Sequence, residues 1–474
     1  MVVQETTAMQ PRWPGVVAVL CCVLNGAPQA GEPATPTPAA QPKPQDKAPE
    51  KASPKDPFDA LKNIPLGGAV FSFSLNERLR CERWNNEDLD DAKHDRDRRL
   101  FVRTRLRMDT TFADWLATCV EVVDNREWLS DRNPRPQNDD LDLHQAYVQL
   151  DLKKRLGQPL MVRLGRQELD FGSRKLVAAP TWNNLLRSFD AGRVSYTSDL
   201  VDLHAFCGSV VTPVDDQFND HRHDESLSGL FATLKPVKNQ KLDLYALRLH
   251  TWNDEFFVTG EDKVKGEHKL YTFGARVYGD LIPKRWTYDV EAALQRGHYA
   301  NDDIRAWAFH ADTAYTLLDL PWQPTLQPVF NYASGDKNPT DGVRNTFDPL
   351  YCSVHNMFGG IMDQVTWMNV KVVGLRVRAK PTTKLAIGVE AHRYWLAEDE
   401  DAWYPGNKKA KRRDKTGASG GDLGCEIGAW ALYTVNKHLE LEAGVARFFA
   451  GSFVDRTGPS DTMEFCYLMT TFKF

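Results

Sequence analysis

The 474-residue sequence has no long hydrophobic run after its N-terminus and little excess of charge of either sign. No later stretch approaches the roughly 20 apolar residues that a transmembrane helix needs, which excludes a helical inner-membrane protein. The net charge of −5 is small for this length and gives no indication of nucleic-acid binding. A chain of this length is long enough for two or three soluble domains or for one large barrel.

Cysteine is scarce, and the usual metal and catalytic motifs are missing. Six cysteines follow the N-terminal segment without any C-x-x-C spacing, which excludes the common zinc motifs and a dense disulfide framework. There is no H-E-x-x-H and no phosphate-binding Gly-Lys loop. Gly417 to Gly421 matches G-x-S-x-G, but a basic stretch precedes it where a hydrolase has a strand. We therefore expect neither enzyme activity nor a cofactor.

The N-terminus carries the features of an exported protein. Trp13 to Leu24 is a short apolar core, and Ala27 and Ala30 provide small residues for cleavage, so residues 1–30 are predicted to be a signal peptide. The stretch that follows is rich in Pro, Ala, Lys and Gln. We expect residues 31–66 to form a disordered periplasmic tail and residues 67–474 to form the folded part.

From Ala69 to Phe474, strand-like segments are joined alternately by tight turns and by long polar loops. Short connections are expected near Phe112 to Ala113, Ser198 to Asp199, Pro236 to Gln240, Ile282 to Arg285 and Asn436 to Lys437. Long connections are expected near Asn86 to Asp97, Arg126 to Asp140, Asp170 to Phe189, Trp252 to His268, Ser334 to Asp363 and Ala397 to Gly421. Bacterial outer-membrane barrels have this asymmetry, with short turns on the periplasmic side and longer loops outside.

The strand-like segments alternate between apolar and polar residues. In one of them Leu100, Val102 and Leu106 alternate with arginines, which predicts a lipid face and a water face. Segments of about 10 to 14 residues suit a tilted membrane crossing, whereas soluble strands average about five or six. The final segment ends on Phe474, which resembles the signal that delivers barrels to the outer-membrane assembly machinery. The predicted fold is all-β: a transmembrane, antiparallel, up-and-down β-barrel of about 18 strands in contact with outer-membrane lipid.

Arginine is the most informative residue on the predicted water faces. Arg103, Arg105 and Arg107 share one strand, and Arg376 and Arg378 share another. Guanidinium groups inside a barrel concentrate anions and bind carboxylates with two hydrogen bonds, which indicates an anionic substrate. In the alternative interpretation, each arginine is paired with Asp or Glu and holds the barrel wall together. The two interpretations can coexist.

Five blocks of the sequence form recognisable motifs: Gly165 to Gly172, Trp182 to Asn184, Arg187 to Arg193, Ala333 to Pro339 and Asn345 to Tyr351, with His355, Gly359 and Asp363. These blocks resemble the alginate-export family of outer-membrane channels. The resemblance implies an arginine-lined constriction through which an acidic polysaccharide leaves the periplasm, with periplasmic export proteins as further partners. Carried over to this sequence, it implies lumen positions for Arg166, Arg187, Asp190, Arg193 and Asp336.

The candidate pore residues are drawn from both arguments. They are Arg103, Arg105, Arg107, Arg163, Arg166, Arg187, Asp190, Arg193, Asp336, Arg376 and Arg378. If Val162 and Leu164 face lipid, a lumen position for Arg166 requires a bulge or an early strand end. Asp336, Asn338 and Asp341 resemble the opening of a calcium loop without its later glutamate, so they are a weak cation candidate.

The long loops enter the functional hypothesis as well. We expect the loops containing Trp182 to Asp190 and Ser334 to Asp363 to fold back toward the pore, because loops of this length are usually functional. The first hypothesis is a passive outer-membrane channel that exports an alginate-like polyuronate. The alternative is a porin for uptake of small anions or oligosaccharides. A third possibility, from another class, is a secreted β-rich hydrolase or lectin.

Overall fold

The computed structural model describes residues 56–93, 96–130, 136–252 and 258–474. The predicted signal peptide and residues 31–55 of the predicted tail lie outside these ranges, as do residues 94–95, 131–135 and 253–257 of three predicted long loops. Within the described ranges, no helix is long and apolar enough to span a membrane.

Eighteen antiparallel strands form a closed barrel, which confirms the predicted fold class. Strand β18 pairs with β1 from Lys473 opposite Asn76 to Glu464 opposite Asn85, so the barrel has no free edge. The strands are β1 (Ala69–Asn85), β2 (Arg98–Ala113), β3 (Leu116–Trp128), β4 (Asp139–Asp151), β5 (Leu160–Gln167), β6 (Phe189–Thr197), β7 (Val201–Thr212), β8 (Glu225–Val237), β9 (Gln240–Thr251), β10 (His268–Ile282), β11 (Trp286–Tyr299), β12 (Asp302–Thr316), β13 (Thr325–Ala333), β14 (Val370–Ala379), β15 (Leu385–Trp395), β16 (Asp422–Thr434), β17 (Leu439–Ala450) and β18 (Met463–Lys473).

Side chains alternate between the lumen and the outer surface along the strands. On β2, Arg103 is 4% exposed while Leu106 is 47% exposed, and on β12 His310 is 3% exposed while Trp307 is 46% exposed. Period-two alternation is the normal geometry of a strand, and here the apolar half faces outward because lipid, not a protein core, surrounds the barrel. The predicted lipid and water faces of β2 are confirmed.

The connections differ at the two ends of the barrel. At the turn side most are short, such as 114–115, 238–239 and 283–285; at the loop side they include 168–188, 334–369 and 396–421. Three connections break the rule, and one of them is the eight-residue turn-side connection 317–324. The loop-side connection between β11 and β12 consists only of Ala300 and Asn301, and the turn-side connection after β4 contains the helix α1 (Leu152–Leu156).

The folded chain begins before residue 67, inside the stretch that the sequence assigns to a tail. A 3-10 turn over Pro57–Leu61 is followed by a short strand, Ile64–Leu66, that pairs with the start of β1. Phe58 stacks on Phe474 with ring centroids 4.5 Å apart. The N-terminal segment therefore packs on the turn side of the barrel, where the last strand ends.

The remaining elements are short. They are Asp220–His221 beside β7, Val343–Arg344 beside β12, the pairs Val258–Thr259 with Lys265–Gly266 and Ala402–Trp403 with Arg412–Arg413, and the helix α2 (Ser452–Thr457).

Two long loop-side connections, 168–188 and 334–369, fold into the barrel, and we call them the inserted segments. Phe171 of the first stacks on Phe206 of β7, with ring centroids 4.7 Å apart. Asn331 of β13 donates a hydrogen bond to the main-chain oxygen of Phe358 in the second, at 3.0 Å. Phe358 and Trp367 are fully buried. The expectation that these loops fold toward the pore is confirmed, and a hydrophobic core lies inside the barrel as a result.

Candidate functional site

Arginines of the barrel wall hold the first inserted segment by its main-chain oxygens. Arg103 of β2 donates hydrogen bonds to the oxygens of Thr181 and Asn183, at 3.0 and 2.9 Å. Arg78 of β1 donates to the oxygens of Thr181 and Trp182, at 2.5 and 2.9 Å. Both arginines are at most 4% exposed. We call Arg78 and Arg103 the arginine clamp. Because its guanidinium groups are buried and hydrogen-bonded to the inserted segment, they are not available to a solute.

Trp182 lies between a guanidinium group and an imidazole ring. The guanidinium carbon of Arg80 is 3.9 Å from the indole centroid. On the indole, the ring of His355 stacks almost parallel, with centroids 3.6 Å apart, and its Nδ1 is 3.2 Å from a carboxylate oxygen of Asp363. Stacking of a cation on an indole is favourable when both are desolvated. The contact connects the barrel wall with both inserted segments.

Arg187, another predicted pore residue, joins the two inserted segments to each other. Its Nη1 donates to the main-chain oxygens of Ala178, Tyr351 and Cys352, at 3.2, 2.6 and 3.1 Å. Burial lowers the pKa of this guanidinium from its ordinary value. Like the arginine clamp, Arg187 has a structural role in holding the inserted segments.

A second group of predicted arginines is neutralised by carboxylates. Arg105 contacts Glu121 at 2.7 Å and Glu168 at 2.9 Å. Two others form one ion pair each, Arg107 with Asp109 at 2.6 Å and Arg376 with Glu390 at 3.0 Å. Burial raises the pKa of Glu168, but hydrogen bonding to His144 and the charge of Arg105 outweigh it and lower the pKa to about 2. These arginines fit the alternative in which ion pairs hold the wall together.

A third group faces the lumen with neutral partners only. Arg163 donates to Gln149 at 2.6 Å, Arg193 to Ser195 at 3.1 Å, and Arg378 to Gln327 at 2.6 Å. Among the described residues, none of these three arginines forms a salt bridge. We call Arg163, Arg193 and Arg378 the unpaired lumen arginines.

Two of the unpaired lumen arginines are cross-strand neighbours. Arg163 of β5 lies directly opposite Arg193 of β6 in the strand register. Like charges at such positions destabilise a sheet, because no opposite charge offsets their repulsion. The guanidinium carbon of Arg163 lies 4.2 Å from the ring centroid of Tyr147, and that of Arg193 lies 5.0 Å from that of Phe171. Two guanidinium groups thus lie on neighbouring strands without a carboxylate partner among the described residues.

Arg166 and Asp190 lie elsewhere than the sequence expectation placed them. They form an ion pair at 2.8 Å and oppose each other in a register that has no bulge between β5 and its two neighbours. Arg166 therefore shares the outward face of Leu164, which is 56% exposed. A lumen position required a bulge or an early strand end, and the structure has neither. Arg166 also donates to the main-chain oxygen of Asn219 at 2.9 Å, so the pair anchors an external connection.

Asp336 lies in the second inserted segment, 6% exposed, and its main-chain N–H donates to Asp401 at 3.0 Å. Burial raises the pKa of its carboxyl to about 6. The main-chain N–H of Asn338 donates to Asp336 at 3.4 Å, and that of Val343 donates to Asp341 at 2.9 Å. These contacts organise the local turns; the suggested cation site stays a weak prediction.

Four groups of three His, Asp or Glu side chains bring possible ligand atoms within 4.8 Å of one another, in the part of the chain that the structure describes. The most buried group is Glu121, His144 and Glu168. Arg105 donates to both glutamates, at 2.7 and 2.9 Å, so a positive charge already occupies the position between them. This group is therefore an ion-pair cluster between the barrel wall and the first inserted segment.

Sequence reasoning missed Arg78, Arg80 and Arg276, all of which point into the lumen. Arg276 contacts Asp289 at 2.7 Å and Asp243 at 3.3 Å. The alternation of Arg78 and Arg80 with Leu79 and Cys81 is the signal that would have found two of them.

We compared the chain with models of known protein families. The model for alginate export matches residues 70–467, which includes nearly all of the barrel. The chain belongs to the alginate-export family. No curated protein sequence matches it significantly. The family and the fold are those of outer-membrane channels, which are not enzymes.

Solved structures of outer-membrane barrels from Pseudomonas aeruginosa are similar in fold. The outer membrane protein opdK has a TM-score of 0.58 and 11% identity, covering 85% of this chain and 99% of that chain. OccD3 (OpdP) has a TM-score of 0.56 and 13% identity, covering 85% of this chain and 91% of that chain. OccK8 (OprE) has a TM-score of 0.55 and 13% identity, covering 85% and 98%. At these identities the likeness concerns the fold alone. The family points to the bacterial outer membrane as the location of the chain.

Proposed function

We propose that this family member exports an anionic polysaccharide, a polyuronate such as alginate, through its arginine-lined lumen. The observation that carries the proposal is the set of unpaired lumen arginines, because cations with neutral partners remain available to carboxylates of a solute. Each uronate unit carries one carboxylate, which matches a guanidinium group in charge and hydrogen-bonding geometry.

The position of the unpaired lumen arginines supports movement from the periplasm. Arg378 is the penultimate residue of β14 and Arg163 lies near the start of β5, both toward the turn side. In outer-membrane barrels this side faces the periplasm. A polyanion that enters from the periplasm meets these cations before it reaches the inserted segments.

The test is single-channel conductance in a planar bilayer with graded oligouronates and a neutral polymer of similar size. Uronates are expected to block the current at lower concentration than the neutral polymer. The triple variant Arg163→Gln, Arg193→Gln, Arg378→Gln is expected to lose most of this difference and part of its anion selectivity. Equal block by both polymers in the unchanged protein contradicts the proposal.

A matched control keeps the change in total charge constant. The same three substitutions are made at Arg248, Arg296 and Arg305, which lie on the outer face of β9, β11 and β12. Uronate block is expected to be unchanged in this control. The length of uronate that blocks best separates the two roles, because a polymer channel prefers long chains, whereas a porin for uptake passes monomers and short oligomers.

A further inference from the structure

The outer face of β9 to β12 changes from apolar to basic between two neighbouring rows of side chains. The strand register aligns one outward row of Ala246, Phe273, Leu294 and Trp307 across these strands. The next outward row toward the loop side consists of Arg248, Tyr271, Arg296 and Arg305. Lys269 follows in the row above. We call Arg248, Lys269, Arg296 and Arg305 the basic patch.

Two of the four cations of the basic patch, Arg248 and Arg296, have no carboxylate partner among the described residues, whereas Lys269 pairs with Glu267. Arg248 contacts the ring nitrogen of His250 at 2.8 Å, and Arg296 donates to a main-chain oxygen at 2.7 Å. Neither forms a salt bridge with any described residue. Arg305 pairs with Asp303 at 3.0 Å, but the two side chains are 59% and 46% exposed, and exposed pairs of this kind are weak.

The turn-side half of the same four strands has a different outer surface. Its outward positions carry Trp286, Tyr288 and Tyr315, and these fully described strands have no outward lysine or arginine there. Aromatic residues are expected at both membrane interfaces. At the turn side, Lys284 and Arg285 lie in a connection and not in a strand row, and Arg285 pairs with Asp319 at 3.1 Å. The basic row of the strands therefore favours the lipid headgroups at the loop side as the anionic partners.

A shallow apolar groove runs along the outer wall directly below the basic patch. Ala205, Leu230, Ala246 and Phe273 line it, with Arg248 and Tyr271 at its loop-side end. The small side chains of the two alanines leave space between the larger ones. An apolar groove that ends at a cation has the shape and polarity of an amphiphile.

We infer that the basic patch and this groove bind a phosphorylated lipid of the outer leaflet. The phosphate groups contact Arg248, Arg296 and Arg305, whose guanidinium groups are suited to phosphate oxygens, and an acyl chain occupies the groove. The loop side of an outer-membrane barrel faces outward, so the lipid comes from the outer leaflet.

The test is native mass spectrometry of the full chain in detergent, titrated with a bisphosphorylated glycolipid extracted from bacterial outer membranes. The triple variant Arg248→Gln, Arg296→Gln, Arg305→Gln is expected to bind it roughly fivefold more weakly for each arginine removed. The dephosphorylated glycolipid is expected to bind both proteins equally weakly. The control variant Arg163→Gln, Arg193→Gln, Arg378→Gln is expected to bind the glycolipid like the unchanged protein.

Other outcomes overturn the inference. Equal affinity of the triple variant and the unchanged protein, or of the phosphorylated and dephosphorylated lipids, removes the role of the arginines. Displacement of the glycolipid by millimolar inorganic phosphate identifies a site for the free ion instead of a lipid. Heat-modifiable migration in electrophoresis confirms that each variant forms a barrel, and the single variant Arg296→Gln serves where the triple variant does not.

Discussion

Arg103 and Arg105 are two residues apart on β2 and face the same lumen, yet their guanidinium groups have different partners. Arg103 donates to main-chain oxygens of an inserted segment, whereas Arg105 pairs with two glutamates. Arg163 has neither kind of partner and donates to an amide side chain. At the scale of the residue, the partner decides whether an arginine holds a loop, holds the wall or remains available to a solute.

Removing Arg105, which pairs with two glutamates, is expected to destabilise the barrel. Arg105→Gln leaves Glu121 and Glu168 without their cation, and Glu121 is only 3% exposed. We expect the free energy of unfolding, measured with urea in lipid vesicles, to fall by about 3 kcal/mol or more. Arg163→Gln is the matched control, because it removes an arginine with no ionic partner. A comparable loss of stability in the control contradicts this assignment.

The lowered pKa of Glu168 predicts the acid response of the same cluster. The carboxyl has a folded pKa of about 2, below its ordinary 4.5, so between these values the unfolded chain binds more protons than the folded one. Its contribution to stability is complete above pH 4.5 and is lost as the pH falls toward 2. We expect Glu168→Gln to be less stable than the unchanged protein at pH 7 and to flatten the acid limb of urea unfolding. Parallel acid limbs for both proteins contradict the prediction.

At the scale of the element, the inserted segments are the main difference from an empty barrel. The arginine clamp fixes the first segment, and Arg187 connects it to the second. The second segment lies directly against Glu426 of the barrel wall at Gly360. An added Cβ at this position would lie 2.3 Å from the carboxylate of Glu426. The segments are therefore fastened to the wall at several separate positions.

Releasing the arginine clamp is expected to loosen the first inserted segment. The double variant Arg78→Gln, Arg103→Gln removes five hydrogen bonds to main-chain oxygens of Thr181, Trp182 and Asn183. We expect larger and more frequent fluctuations of single-channel current, and faster hydrogen exchange in residues 176–186. Arg83→Gln is the control, because Arg83 is on β1 as well but points outward. If the double variant conducts as steadily as the control, the clamp does not hold the segment.

At the scale of the whole molecule, the barrel is closed by the pairing of β1 with β18 and reinforced from the N-terminal side. Phe58 stacks on Phe474 and meets Phe472 edge to face, with centroids 4.5 and 5.7 Å apart. His438 Nε2 lies 2.9 Å from a carboxylate oxygen of Asp56. The segment before β1 thus contacts the end of the last strand.

Phe58→Ala is expected to weaken this closure. Aromatic pairs contribute about 1 kcal/mol each beyond the area that they bury. The loss of the ring contacts with His438, Phe472 and Phe474 should therefore lower the temperature at which the folded form disappears in heat-modifiable electrophoresis. Leu61→Ala, in the same 3-10 turn at a 36% exposed position, is the control. Equal effects of the two substitutions contradict a specific role for the aromatic contacts.

The sequence predicted the barrel because alternation is a local property of each strand. The alternating positions of Arg103 and Leu106 in the strand are enough to predict that they lie on opposite faces, and the long loops are recognisable by their length and polarity. The partners of the arginines are not local: Arg103 meets Asn183 and Arg187 meets Tyr351 only after the chain has closed on itself. For Arg166 the two arguments disagree: strand alternation predicts an outward position, whereas the family resemblance implies a lumen position.

The contact between Phe58 and Phe474 brings the two ends of the described fold together at one rim. A short linker from residue 474 to residue 56 would therefore complete a circular polypeptide. New ends opened in the external connection 213–219 would leave every pairing of the barrel strands intact. Such a circular permutant would begin and finish on the outside of the cell, and its folding would show whether assembly depends on where the chain ends.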